Sequence, residues 1–88
     1  MWHVYIVECR DGTLYTGVTT DINRRINEHN MSKRGARYTR TRRPVKLVYH
    51  SRCTDRSAAL KREHKIKKLR RKEKKKIILN FKGGPNSE

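Results

Sequence analysis

The sequence predicts a small α/β domain of the α+β kind, with elements in the order β-β-α-β-α and a basic helix at the end. Three observations predict it. Two β-branched and aromatic stretches, residues 4–7 and 14–18, flank the pair Asp11-Gly12, the strongest hairpin signal in the chain. Two later stretches carry apolar residues at helical spacing behind oxygen-bearing caps. A third short β-branched run, residues 45–49, lies between those helices, directly after Pro44.

The hairpin comes first. A two-residue Asp-Gly turn would set Tyr5 and Tyr15 on opposite faces of the ribbon. A three-residue loop of Arg10, Asp11 and Gly12, with Gly12 left-handed, would put both on one face together with Val7, Cys9 and Gly17. Next, Thr19, Thr20 and Asp21 supply caps for a helix reaching to about Asn30. In it Ile22, Arg25, Ile26 and His29 form one stripe at i, i+3, i+4, i+7. Residues 31–43 read as a polar, basic loop containing Gly35 and Tyr38. It is longer than a connection needs, which suits a binding role.

Thr54 and Asp55 then cap a second helix, residues 56–69, whose inner side is expected to hold Ala59, Leu60 and Ile66. Glu63 falls four residues after Ala59 and three before Ile66, so an acid projects from that inner side. Residues 71–81 read as a short third helix held by Ile77, Ile78 and Phe81. Between Lys67 and Lys76 eight of ten residues are Lys or Arg, a self-repulsion that bound anions would relieve. The expected organisation is one domain over residues 1–81 with a disordered tail over 82–88.

Composition names a partner class. Twenty-four Lys and Arg against eight Asp and Glu give the 88-residue chain a formal charge of +16. A field so one-signed collects polyanions, and nucleic acid is the abundant one inside a cell. The expected phosphate contacts are Lys33, Arg34, Arg37, Arg40, Arg42 and Arg43 in the loop and Lys67, Lys68, Arg70 and Arg71 near the end. These are point charges with few groups able to read base edges. At 33% hydrophobic content the core must be small. No apolar run approaches the roughly 20 residues that span a bilayer, and the start lacks a secretory signal. The reading is therefore cytoplasmic, with the nucleoid as an alternative address and neither a membrane nor an obligate protein partner. Cys9 and Cys53 lack Cys-x-x-Cys spacing, which argues against zinc and for free thiols. His3, His50 and His64 read as ordinary imidazoles.

An ionised carboxylate on an inner helix face is costly unless paired or bound to a cation. Glu63 is thus either one half of an ion pair, with Arg25 or a nearby Lys, or a ligand for a hard metal ion. Arg25 is either that partner or a donor to a phosphate oxygen. Tyr5 and Tyr15, each taken alone, are explained as sheet aromatics.

Taken together, these residues carry a resemblance. His3-Val4-Tyr5, then Tyr15-Thr16-Gly17, Arg25 ten residues after Tyr15, His29 one turn later and Glu63 downstream resemble the GIY-YIG nuclease superfamily, in particular its small stand-alone bacterial members. The likeness covers residues 2–69. It departs at His3 and Thr16, where the family has glycine and isoleucine, and no asparagine partner is assigned. The resemblance implies a three-stranded antiparallel sheet flanked by helices and an endonuclease that hydrolyses DNA phosphodiester bonds. It also implies one divalent ion, Mg²⁺ or Mn²⁺, on Glu63, and catalytic roles for Tyr5, Tyr15, Arg25, His29 and Glu63, one tyrosine activating water. Selectivity for nucleic-acid structure over sequence is expected, with DNA ahead of RNA. The main alternative is a non-catalytic nucleic-acid-binding module on the same fold, and a third is a ribosome- or nucleoid-associated structural protein. For the catalytic roles to hold, the hairpin loop must have an odd residue count, since only then do the two tyrosines share a face.

Overall fold

The computed structural model describes residues 1–31 and 37–82. Residues 32–36 and 83–88, which include Lys33, Arg34, Gly35 and most of the expected tail, lie outside the described residues. Among the described residues there are three strands, β1 (Trp2–Glu8), β2 (Leu14–Thr19) and β3 (Lys46–Cys53), and four helices, α1 (Ile22–Met31), α2 (Arg37–Arg40), α3 (Arg56–Lys68) and α4 (Arg71–Lys82). The strands form one antiparallel sheet in the order β2-β1-β3.

The hairpin closes in the odd register. The Cys9 N–H donates to the Thr13 carbonyl at 2.8 Å and the Gly12 N–H to the Cys9 carbonyl at 2.9 Å, leaving residues 10–12 as the loop. Gly12 takes a φ of +85°, left-handed backbone that glycine adopts without steric cost. Asp11 stiffens the turn by accepting from the Thr13 backbone N–H at 3.1 Å and hydroxyl at 2.6 Å. Tyr5 then faces Gly17 and Val7 faces Tyr15, and one sheet face gathers Tyr5, Val7, Cys9 and Val45 under Tyr15, Ile22, Ile26 and Leu47. The opposite face gathers Val4, Ile6, Val48, Tyr49 and Ile66, backed by Leu14, Val18, Ile77 and Ile78. The sheet is therefore a middle layer, with α1 on one side and α3 and α4 on the other.

Helices α1 and α3 start where their caps predict. Asp21 accepts from the Arg24 N–H at 3.0 Å and Asp55 from the Ala58 N–H at 2.8 Å, each satisfying a first-turn donor that has no partner within the helix.

Several expectations need correction. β3 runs to Cys53, past residue 49, because pairing with β1 (Trp2 opposite Cys53, Val4 opposite Ser51) outweighs the weak strand preference of His50, Ser51 and Arg52. The β1–β3 register also shifts between Ile6 and Val7. Ile6 pairs with Tyr49 and Val7 with Leu47, so Val48 is an extra residue. That bulge lets consecutive Val48 and Tyr49 both be buried on the same face, which strict alternation forbids. The loop after α1 contains the helical turn α2, which buries Thr39 completely. Leu60, expected inside α3, is 37% exposed. The buried stripe runs through Ala59 and Ile66, and one residue further turns the helix by about 100°. Phe81 is half-exposed but sets its ring edgewise against Tyr49 and His50, with centroids 5.5 and 5.2 Å away. Both cysteines are free, Cys9 buried and Cys53 half-buried.

Candidate active site

The site begins with a close approach. Tyr5 stands opposite Gly17 on the outer strand β2, and its ring lies across the glycine. A Cβ built at position 17 would meet the Tyr5 Oη at 2.6 Å and Cζ at 2.8 Å, closer than nonbonded atoms sit, so the position demands a residue without a side chain. Lying over Gly17, the phenol is carried from the central strand toward the outer edge of the sheet. Tyr5 is 1% exposed, and burial pushes its hydroxyl up to about 12. The Arg25 guanidinium beside it pulls the other way, while Tyr15 and Glu63 add to the rise.

His29 completes the inner part. Placed one turn after Arg25 on α1, it has no solvent exposure. Its Nε2 lies 2.8 Å from the Tyr5 Oη and its Nδ1 2.9 Å from the Thr39 Oγ1. The ring stands edgewise to both Tyr5 and Tyr15, with centroids 5.8 and 5.4 Å away. Burial, and then the charge of Arg25, lower its pKa to about 4, with Arg43 adding to the drop and Glu28 opposing it. His29 is therefore neutral near pH 7.

Tyr15 is half-buried and stacks on Tyr38 at 5.9 Å between centroids with 22° between planes. Arg42 holds that second ring: its guanidinium lies 4.1 Å from the Tyr38 centroid, its Nη1 donates to the Tyr38 carbonyl at 2.8 Å, and its Nε donates to Asp11 at 3.1 Å. The hairpin loop and α2 are thereby clipped together. Arg25 makes an ion pair with Glu28 at 2.9 Å and faces Tyr5, as its place in the α1 stripe predicts.

Glu63 arrives from the other layer. Its side chain is 18% exposed and pairs with Lys67 at 3.2 Å, one turn on along α3. Its charge is among those acting on Tyr5, so α3 brings the carboxylate within electrostatic reach of the tyrosine face. Among the described residues no group of three or more His, Cys, Asp or Glu gathers to hold a metal ion. A lone carboxylate still fits Mg²⁺ or Mn²⁺, which take few protein oxygens when water and substrate phosphate complete the shell. It would not fit zinc, which requires three or four protein ligands.

Of the expected phosphate contacts, Lys33 and Arg34 lie outside the described residues. Arg37, Arg40, Lys67, Lys68, Arg70 and Arg71 are exposed. Three guanidiniums are also tied into the fold: Arg42 as above, Arg43 through the His29 and Glu28 carbonyls, and Arg71 through the Gly12 carbonyl at 2.7 Å. No local pattern marks Thr39, buried beside His29, or Tyr38 as a stacking partner. Gly17 could have been read more fully, because a glycine inside a strand marks a close approach.

Residues 1–76 match the family model described as the GIY-YIG catalytic domain. The chain is 69% identical over 68 residues to UPF0213 protein DP2720 of Desulfotalea psychrophila, spanning 77% of this chain and 62% of that protein. It is 54% identical over 76 residues to a UPF0213 protein of Syntrophus aciditrophicus, spanning 86% and 87%. Two solution structures are similar. That of the UPF0213 protein BH0048 from Bacillus halodurans has 43% identity and a TM-score of 0.58, covering 99% of this chain and 92% of that one. That of EF2693 from E. faecalis has 42% identity and a TM-score of 0.60, covering 90% and 83%. With the odd hairpin register, Tyr5 lying over Gly17 and these likenesses, the chain belongs to the GIY-YIG nuclease family, among its UPF0213 members.

Proposed function

We propose that the chain is a metal-dependent endonuclease that hydrolyses DNA phosphodiester bonds, selecting its substrate by structure more than by sequence and working in the cytoplasm or on the nucleoid. The observation that carries this reading is the linkage of Tyr5, His29 and Arg25 over Gly17, with the Glu63 charge acting on the same phenol. The +16 net charge supplies the attraction to the phosphate backbone.

In this mechanism Arg25 donates to a non-bridging oxygen of the scissile phosphate and stabilises the charge that grows there. A water attacks phosphorus and gives its proton to the Tyr5 Oη, while the Tyr5 proton passes to the His29 Nε2, 2.8 Å away. The tyrosine need not exist as a free phenolate, which its burial opposes. His29 is a weak base in the free protein, in part because of the Arg25 charge. A phosphate dianion developing against Arg25 offsets that charge and raises the imidazole's proton affinity as the reaction proceeds. Tyr15, half-buried beside His29, lines the approach, and solvent protonates the leaving alkoxide. Glu63 would hold the divalent ion, Mg²⁺ or Mn²⁺, which when bound neutralises phosphate charge and eases deprotonation of water.

A second reading, the non-catalytic binding module, is favoured by the ion pair that already occupies Glu63. Glu63→Gln separates the two. The pair joins neighbouring turns of one helix and its lysine is 52% exposed, so its loss should cost stability only about 0.3 to 0.5 kcal/mol. The nuclease reading predicts that Glu63→Gln melts like wild type and binds DNA as well, yet loses Mg²⁺- or Mn²⁺-dependent cleavage. The assay uses single-stranded, flapped and branched DNA, with RNA as comparison. Wild-type protein that cuts none of these with either ion would leave only the binding module.

A further inference from the structure

Three fully buried side chains from three different elements form one hydrogen-bonded line. Tyr5 of β1, His29 of α1 and Thr39 of α2 are 1%, 0% and 0% exposed, and the two links measure 2.8 Å and 2.9 Å. Counting the donors and acceptors of Tyr5 and His29 gives the direction of these two links. The Tyr5 hydroxyl is buried, its hydrogen-bond partner is the His29 Nε2, and the Arg25 guanidinium that acts on it electrostatically can only donate. The phenol must therefore place its own O–H on another group, and the His29 Nε2 is the acceptor within reach. Neutral imidazole carries a single N–H, so with Nε2 accepting, the proton resides on Nδ1 and points at the Thr39 Oγ1.

We propose that Thr39 is a positioning residue: by accepting from the His29 Nδ1–H it fixes the histidine in the Nδ1–H tautomer, which keeps Nε2 open to the Tyr5 hydroxyl. Its consequence for the reaction rests on the nuclease reading, since a histidine in the other tautomer could not take the Tyr5 proton. The tautomer itself does not depend on that reading. The arrangement gives the turn α2, in a loop rich in positive charge, a second role: it closes over His29 and sets its hydrogen-bonding direction. A threonine suits the position because it offers a hydroxyl acceptor on a short, χ1-restricted side chain, so the oxygen is held in place when the turn is packed.

The test has two arms. First, the ring ¹⁵N and ¹³Cδ2 shifts of His29 are recorded near pH 7 in wild type, Thr39→Ser and Thr39→Val, without metal or nucleic acid. Wild type and Thr39→Ser should show the Nδ1–H tautomer. Thr39→Val, with a methyl group in place of the acceptor, should shift toward Nε2–H and lose the Tyr5 hydroxyl proton's bond to the ring. Nε2–H in wild type, or an unchanged tautomer in a folded Thr39→Val, overturns the proposal. If Thr39→Val fails to fold, Thr39→Ala takes its place and should shift the tautomer in the same direction; an unchanged tautomer there overturns the proposal equally. Second, single-turnover cleavage on a DNA that wild type cuts should fall on the order of 10- to 100-fold in Thr39→Val at unchanged DNA affinity, and return in Thr39→Ser. An inactive wild type with the Nδ1–H tautomer present would refute the nuclease reading and leave the positioning role standing. An active Thr39→Val with an altered tautomer would show that the tautomer is irrelevant to cleavage.

Discussion

Tyr5 lies over Gly17 so closely that a single methyl group on the glycine would stand 2.6 Å from the phenolic oxygen. The contact joins the two tripeptides at the level of atoms, since the last residue of the second makes room for the last residue of the first. It also brings the hydroxyl from the central strand toward the sheet edge, between Arg25 and His29.

Gly17→Ala should therefore act mainly through Tyr5. The strand backbone at 17 is not left-handed, so alanine is tolerated there by the backbone and refused by the ring. Displacing the ring from a packed face should cost about 1 to 3 kcal/mol, seen as a lowered Tm. The Tyr5–His29 hydrogen bond should be lost, seen in the His29 ring shifts. A Gly17→Ala protein that melts like wild type with unshifted His29 resonances would contradict this account.

The buried histidine makes a prediction for acid. His29 falls from 6.5 to about 4 on folding, so below pH 6.5 the unfolded chain binds a proton that the folded chain refuses. Stability is then fully present above about pH 6.5 and is lost as pH falls toward 4. At 1.36 kcal/mol per pK unit the loss approaches roughly 3 kcal/mol. The groups facing the ring are Arg25, Glu28 and Arg43 with Tyr5, Tyr15 and Thr39. Comparing urea unfolding of wild type and His29→Gln from pH 7 to 4.5 isolates the histidine: the variant should be flatter by on the order of 2 to 3 kcal/mol. Parallel curves would mean that folding leaves the proton affinity of His29 unchanged.

Phosphate contact should be sequence-blind and strongly salt-dependent, since the exposed cations of α3 and α4 present charge without base-reading groups. If roughly six phosphates are contacted, log K should fall against log salt with a slope near −5. Replacing the exposed Lys68 and Arg70 by glutamine should flatten the slope by about two units, measured by fluorescence anisotropy on unrelated DNA sequences. An affinity indifferent to salt would exclude backbone binding.

Much of the fold was legible because it rests on local rules. Asp11-Gly12 between β-branched runs specified the hairpin, Asp21 and Asp55 marked the starts of α1 and α3, and the stripe of Ile22, Arg25, Ile26 and His29 already aimed an arginine and a histidine at the tyrosine face. The candidate catalytic residues could be named from spacing and family resemblance alone, while their arrangement could not. β3 extends to Cys53 with an extra residue at Val48 because strand pairing with β1, a contact between distant segments, prevails over local preference. The Asn30 amide pairs with both backbone groups of Val45, at 3.0 and 2.7 Å, a bond across fifteen residues that no local pattern encodes. Thr39 lay within a loop read for its charge, and only the packing of α2 onto His29 turned it into a hydrogen-bond partner. Sequence periodicity determines which side of an element a residue occupies. Which atoms then meet, and which way a buried proton points, is decided by the close packing of elements whose separation along the chain hides their contact.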